Sequence, residues 1–171
     1  MARQAIKGEA LTMDVDVTIE IPQGSQNKYE ADHETGRIKL DRVLHSPFHY
    51  PVEYGFVENT LSEDGDPIDV MVLTSFPTFP GCVIRGRIVG LLEMTDDKGI
   101  DNKILAVAVD DPRFSHIEDL NSVNQHTLKE IAHFFSTYKQ LEGKAVTIGG
   151  WLPKEHGERV LQECVSRFQL H

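Results

Sequence analysis

Apolar positions along the first two thirds of the chain recur with period two, and a period near 3.6 appears only towards the end. Val15, Val17, Ile19 and Ile21 alternate with Asp16, Thr18 and Glu20 up to Pro22, the pattern of a strand buried on one face. After a loop over residues 23–27, residues 29–32 and 37–44 read as a hairpin turned at Glu34-Thr35-Gly36. Residues 54–60, 70–73, 83–93 and 104–109 read as further strands. No helical spacing intervenes, so the pattern predicts a small, closed or nearly closed antiparallel barrel rather than a parallel α/β sheet. Helical spacing begins with Leu128, Ile131, Phe135 and Tyr138. It predicts a helix over about 125–141, stopped by Gly143, and a second helix after Pro153 with Val160, Leu161, Cys164, Val165 and Phe168 on one face. The fold class expected is α+β, mainly β, with flanking C-terminal helices.

Composition narrows the functional classes. A chain of 171 residues, 40% hydrophobic, suits one domain with a real core. That domain is placed at 14–171, with residues 1–13 as a loose tail that lacks the apolar stretch of a secretory signal. With 17 basic against 27 acidic residues, the net charge of −10 argues against a nucleic-acid partner bound through its phosphates. No apolar run approaches the ~18 residues of a membrane span. Cys82 and Cys164 lie far apart without C-x-x-C spacing, so both are expected as free thiols of a cytoplasmic protein.

The chemistry concentrates in Asp64-Gly65-Asp66-Pro67-Ile68-Asp69. Gly65 can adopt positive φ, and Pro67 fixes its own φ while pushing Asp66 towards extended geometry, so the segment forms a turn and its carboxylates can converge. Two unit charges ~4 Å apart repel by roughly 4 kcal/mol at an effective dielectric of ~20. Three such groups therefore need a cation or raised pKa values, and oxygen ligands favour a hard cation, Mg²⁺ first. The bland alternative is a solvated acidic turn. Against it stands a second acidic turn, Thr95-Asp96-Asp97-Lys98-Gly99-Ile100-Asp101-Asn102-Lys103, which suggests one site with several metals. A calcium EF-hand counted from Asp64 would need glycine and glutamate where Asp69 and Ser75 stand. Phosphate-binding loops, nucleophile elbows and zinc-helix motifs are missing. His45, His49, His126 and His133 have no supporting ligand set. What remains is carboxylates with scattered cations and tyrosines.

Those residues carry a resemblance. The run from Asp64 to Val70 matches at every position the signature D-[SGDN]-D-[PE]-[LIVMF]-D-[LIVMGAC] of the family I soluble inorganic pyrophosphatases. Glu20-Ile21-Pro22, Asn27-Lys28-Tyr29-Glu30, Leu40-Asp41-Arg42, Tyr50-Pro51, Glu53-Tyr54-Gly55, Met94-Thr95-Asp96, Asp101 to Lys103 and His133-Phe134-Phe135 through Tyr138-Lys139 resemble its bacterial members in order. The resemblance implies an OB-like five-stranded antiparallel barrel and Mg²⁺-dependent hydrolysis of pyrophosphate, with several Mg²⁺ per site. It implies that Asp64, Asp69 and Asp101 hold the first metals, that Asp96 with Asp101 holds a metal carried by the substrate, and that Glu30 acts through water with Glu20 nearby. Asp66 would be the general base, Tyr54 would orient the nucleophile, and Lys28, Arg42, Lys103, Tyr138 and Lys139 would bind phosphate oxygens. A homohexamer is the implied assembly. Asp97 stands where many members have glutamate, and Thr137 and Gln140 depart from residues often seen at subunit contacts. The competing class is a non-enzymatic OB-type binding module with a structural cation. Net negative charge and the lack of an aromatic, basic strand face count against it.

Overall fold

The computed structural model describes residues 13–171. Among these residues, seven strands form one sheet and two form a separate hairpin. The strands are β1 (Asp14–Ile21), β2 (Asn27–Ala31), β3 (Ile38–Val43), β4 (Glu53–Phe56), β5 (Asp69–Leu73), β6 (Val83–Asp96), β7 (Gly99–Ile100), β8 (Lys103–Ala108) and β9 (Thr147–Pro153). The helices are α1 (Gln125–Thr137) and α2 (Lys154–Gln169). The path β1-β4-β5-β8-β6 closes through a β1–β6 pairing into a five-stranded barrel, as expected. The β5–β8 seam is parallel, with Val70 opposite Ile104, whereas the other pairings around the ring are antiparallel. The long excursion through β6 between β5 and β8 is what allows a parallel neighbour, which a tight hairpin cannot supply.

Alternation along the strands sorts side chains into two cores. Met71, Leu73, Leu105 and Val107 join Tyr50, Tyr54 and the α1 face of Leu128, Ile131, Phe134 and Phe135. Val70, Val72, Ile104 and Ala106 join Val17, Ile19, Ile88, Leu91 and, from α2, Leu161 and Cys164. Full burial of each large apolar side chain contributes about 1.5–3 kcal/mol. Close approach demands glycine at two places. A Cβ on Gly55 would lie 2.0 Å from the Thr18 carbonyl oxygen across the β1–β4 seam, and one on Gly157 would lie 2.8 Å from the Gly90 carbonyl where α2 crosses β6.

Several bounds differ from the sequence pattern. The strand expected over 54–60 ends at Phe56, because Asn59 takes positive φ (58°) and Thr60 turns inward, its hydroxyl donating to the Val57 carbonyl (2.6 Å) and accepting from Ile68 N–H (3.0 Å). α1 stops at Thr137. The chain then continues as a 3₁₀ turn over Gln140–Glu142, and Gly143 ends it in the left-handed region at φ 72°. β9 was not anticipated. Its Gly149-Gly150 pair breaks the apolar alternation, yet Trp151 pairs with Leu92 and donates its indole N–H to the Leu128 carbonyl (3.2 Å), tying the strand to α1. Of the expected tail, residues 1–12 lie outside the described residues. The Met13 carbonyl accepts from Ile88 N–H (2.9 Å).

Candidate active site

Both acidic turns are shaped by local bonding. In the first, Gly65 takes φ 90°, Asp66 N–H donates to Asp64 Oδ1 (3.0 Å), and Ser62 N–H donates to the Asp66 carbonyl (2.7 Å). None of the described residues donates to the Asp66 carboxylate. In the second, β6 and β7 pair Asp96 with Gly99 around a two-residue turn. Gly99 takes φ 115°, Lys98 N–H donates to Asp96 Oδ1 (2.8 Å), and Asp101 N–H donates to the Met94 carbonyl (2.9 Å). These turns open onto one cleft, together with the β2 residues Lys28 and Glu30, Glu20 of β1, Tyr54 of β4, and Tyr138 and Lys139 beyond α1.

Asp64, Asp66, Asp69, Asp96, Asp101, Glu20, Glu30, Lys28, Lys103, Tyr54, Tyr138 and Lys139, all expected at the site, line that cleft. Arg42 does not. It sits opposite Lys28 in the β2–β3 ladder, and its guanidinium is held by Asp41 (2.5 Å) and Glu142 (2.8 Å). Asp41 also accepts from Lys28 Nζ at 3.3 Å, so Arg42 lies one carboxylate away from the cleft wall. His33, Lys98 and Tyr29 line the cleft unanticipated. Tyr29 and Lys98 lie within segments already singled out by sequence but without a site role assigned, and His33, in the turn between β2 and β3, lies in no motif. A neighbouring hollow shares Asp64, Asp69 and Asp101 but is walled by α2 and has none of the lysines and tyrosines of the cleft.

Lys103 is the hub. Its side chain is 2% exposed, and Nζ donates to Tyr54 Oη (2.7 Å), Asp69 Oδ2 (2.9 Å) and both oxygens of Asp101 (3.2 Å each). It also lies over the Tyr54 ring at 5.1 Å and the Phe135 ring at 5.6 Å. Although burial alone would favour the neutral amine, the Asp69 and Asp101 charges raise its pKa and keep it protonated. Burial pushes Asp101 up to about 6, Glu20 up to about 7, and Asp64 above the usual carboxylate range. Glu20 Oε2 meanwhile accepts from Ala31 N–H (2.7 Å), which pins the hairpin to the barrel. Burial lowers Lys139, whose ammonium faces Asp96 at 3.7 Å, and raises Tyr138 so that it stays a phenol.

Seven carboxylates and four lysines line the cleft, which therefore carries net negative charge. Among the described residues, no three His, Cys, Asp or Glu side chains are gathered closely enough to hold a metal ion as they stand. Mutual repulsion and the ammonium between Asp69 and Asp101 account for that spread. The donor chemistry nevertheless suits hard divalent cations. The candidate ligands are all oxygen, and burial holds three of their carboxyls above their ordinary pKa, a cost that a bound cation would offset. Cys82 and Cys164 are free, and no helix among the described residues is long and apolar enough to cross a membrane.

The family model for inorganic pyrophosphatase matches residues 17–169. An inorganic pyrophosphatase of Leifsonia xyli is 57% identical over 155 residues, covering 90% of this chain and 95% of that protein, and one of Geobacillus stearothermophilus is 53% identical over 154 residues, covering 90% and 93%. The crystal structure of inorganic pyrophosphatase from Thermus thermophilus superposes with a TM-score of 0.89 at 43% identity, covering 98% of each chain. The enzyme from Helicobacter pylori gives 0.89 at 40% identity, covering 98% of this chain and 99% of its own.

Proposed function

The chain belongs to the inorganic pyrophosphatase family, and we propose that its cleft hydrolyses pyrophosphate to two orthophosphates with Mg²⁺. The observation that carries this reading is the convergence of two carboxylate turns with Lys28, Lys139 and Tyr138 on one net-negative cleft. A pyrophosphate anion enters such a cleft only together with divalent cations. Asp64, Asp69 and Asp101 would hold them, joined by Asp96 on the substrate side and by Glu30 and Glu20 at the hairpin. When bound, Mg²⁺ acidifies a water and neutralises charge on the phosphates.

The chain's own residues supply the rest. Asp66 carries a carboxylate with no competing donor and accepts the proton of the attacking water. Lys28, Lys139 and the Tyr138 phenol hold phosphate oxygens, with Arg42 reinforcing from behind Asp41. Lys103 has all three N–H groups engaged, so it reaches a phosphate oxygen only if Asp69 and Asp101 turn away from it. The Tyr54 hydroxyl, fixed by Lys103, borders the water's side of the cleft.

A phosphate-release assay tests the reading: rapid turnover in Mg²⁺, none in excess EDTA, and inhibition by Ca²⁺, which fills oxygen sites with laxer geometry. Undiminished hydrolysis in EDTA rejects it. The non-enzymatic binding module expects no release under any condition. Residues 14–171 form the catalytic unit, acting in the cytoplasm as a homo-oligomer, a hexamer by family habit. Light scattering at micromolar concentration checks the assembly against the 19.3 kDa of one chain.

A further inference from the structure

The hairpin that carries Lys28 and Arg42 stands outside the barrel sheet as its own two-stranded unit. Glu20 pins one side of it through Ala31 N–H. On the other side stands Glu142, at the end of the 3₁₀ turn that follows Tyr138 and Lys139. The Glu142 side chain is only 8% exposed, and its Oε1 meets Arg42 Nε at 2.8 Å. Its other oxygen is buried with no hydrogen-bond partner, and Arg42 Nε completes no aligned hydrogen bond. Burying a carboxylate with one oxygen unsatisfied is costly. Arg42 is the cation that offsets this cost, and Glu142 and Asp41 each raise the guanidinium pKa. Arg42 Nη1 goes to Asp41, which also binds Lys28. A chain of charges, Glu142–Arg42–Asp41–Lys28, thus links the segment bearing Tyr138 and Lys139 to the strand bearing Lys28.

We propose that Glu142 is a positioning residue for the phosphate side of the cleft. By gripping the Nε edge of Arg42 it holds the hairpin against the 138–142 segment and so sets the spacing between Lys28 and Lys139 across the cleft. The proposal rests on the reading of this cleft as a phosphate-binding site.

The test is a double-mutant cycle of Glu142→Gln and Arg42→Ala, read first by calorimetric titration with inorganic phosphate in Mg²⁺ and then by pyrophosphate kinetics. Glu142→Gln keeps the side chain's size, and its thermal midpoint is recorded alongside. Phosphate affinity should fall about tenfold in Glu142→Gln, as expected for loss of one partner of a buried charged pair. KM should rise by a similar factor while kcat stays within about twofold, since binding rather than the chemical step is affected. In the Arg42→Ala background the second substitution should add almost nothing, because interacting residues are non-additive. Glu142→Asp, a carboxylate one methylene short, should recover part of the affinity. Independent, multiplying effects would overturn the proposal, as would a lowered midpoint with phosphate affinity unchanged. A wild-type protein that binds phosphate but hydrolyses nothing would reject the activity and leave the cycle readable.

Discussion

Replacing Lys103 by methionine removes the charge at the centre of the site with little change in volume. Each of its contacts with Asp69 (2.9 Å) and Asp101 (3.2 Å) is a gross attraction of roughly 5 kcal/mol at an effective dielectric of ~20. Most of that is offset by the several kcal/mol needed to desolvate a buried ammonium. What remains after the substitution decides the outcome: two carboxylates, 26% and 18% exposed, lose their shared counterion. Removing one partner of a buried pair costs about 3–5 kcal/mol. At about 2–4 °C per kcal/mol for a chain of this size, the metal-free midpoint should drop by roughly 6–20 °C. The loss should also depend on pH. Asp101 is raised to about 6 by burial, and Lys103 is its main lowering influence, so the variant raises it further. A carboxyl whose folded pKa lies above its unfolded value adds stability at low pH and loses it as pH rises through the folded value. The penalty should therefore be small at pH 5 and full at pH 8, and Mg²⁺ should recover most of it by replacing the lost charge. Urea or thermal unfolding at the two pH values, in EDTA and in Mg²⁺, measures all four cases. An identical loss in all four would refute the electrostatic account and leave Lys103 as packing alone.

Four further outcomes are expected. In EDTA the wild-type midpoint should fall as pH rises from about 4 to about 7, because burial holds Glu20 near 7, and Glu20→Gln should flatten that slope in a pH series of melts. Asp66→Asn should lose roughly 10² to 10⁴ in turnover without rescue by metal, whereas Asp69→Asn should need more Mg²⁺ and recover in part. Rate against Mg²⁺ concentration separates them, and the opposite pattern would show the two roles exchanged. Gly55→Ala drives a Cβ to 2.0 Å from the Thr18 carbonyl and should cost about 3 kcal/mol or more, visible in urea unfolding. Deleting residues 1–12 should leave turnover and midpoint within error in a side-by-side assay.

Local chemistry was the legible part. Gly65 and Pro67 dictate their turn whatever surrounds them, and Val15 to Ile21 declare a half-buried strand by alternation alone. The two acidic turns could therefore be placed at one site before any fold was known. Three features resisted for physical reasons. β9 contains Gly149-Gly150, whose lack of side chains hides the strand period, while Glu93 packs against the space that Gly149 leaves. The parallel β5–β8 seam depends on chain closure over more than thirty residues, which no window of sequence reports. The partnership of Arg42 with Glu142 spans a hundred positions and two elements, so Glu142 looked like any polar residue after a helix. Arg42 itself was legible as a cation but not as one set behind Asp41.

A lysine at the centre of so many acids follows from what the protein must survive without metal. Seven carboxylates round one cleft would relieve their repulsion by taking up protons, and Glu20 and Asp101 are already part-way there. Carboxylic acids bind divalent cations poorly, since the ligand must be deprotonated. Lys103, kept charged by Asp69 and Asp101 despite complete burial, acts as a resident counterion that lowers the pKa of Asp101 against the effect of its burial. An arginine's fixed fork would lock the carboxylates in a bidentate pair. An ammonium is compact and gives its hydrogen bonds up one at a time. The same contact that steadies the metal-free fold therefore sets a competition for Asp69 and Asp101. Lys103→Met should therefore bind its first Mg²⁺ more tightly at pH 8, where Asp101 is ionised, and more weakly at pH 5, where the unpaired Asp101 is protonated. Calorimetric titration at both pH values would show the reversal, and an affinity lowered equally at each would mean that Lys103 assists the cation instead of competing with it.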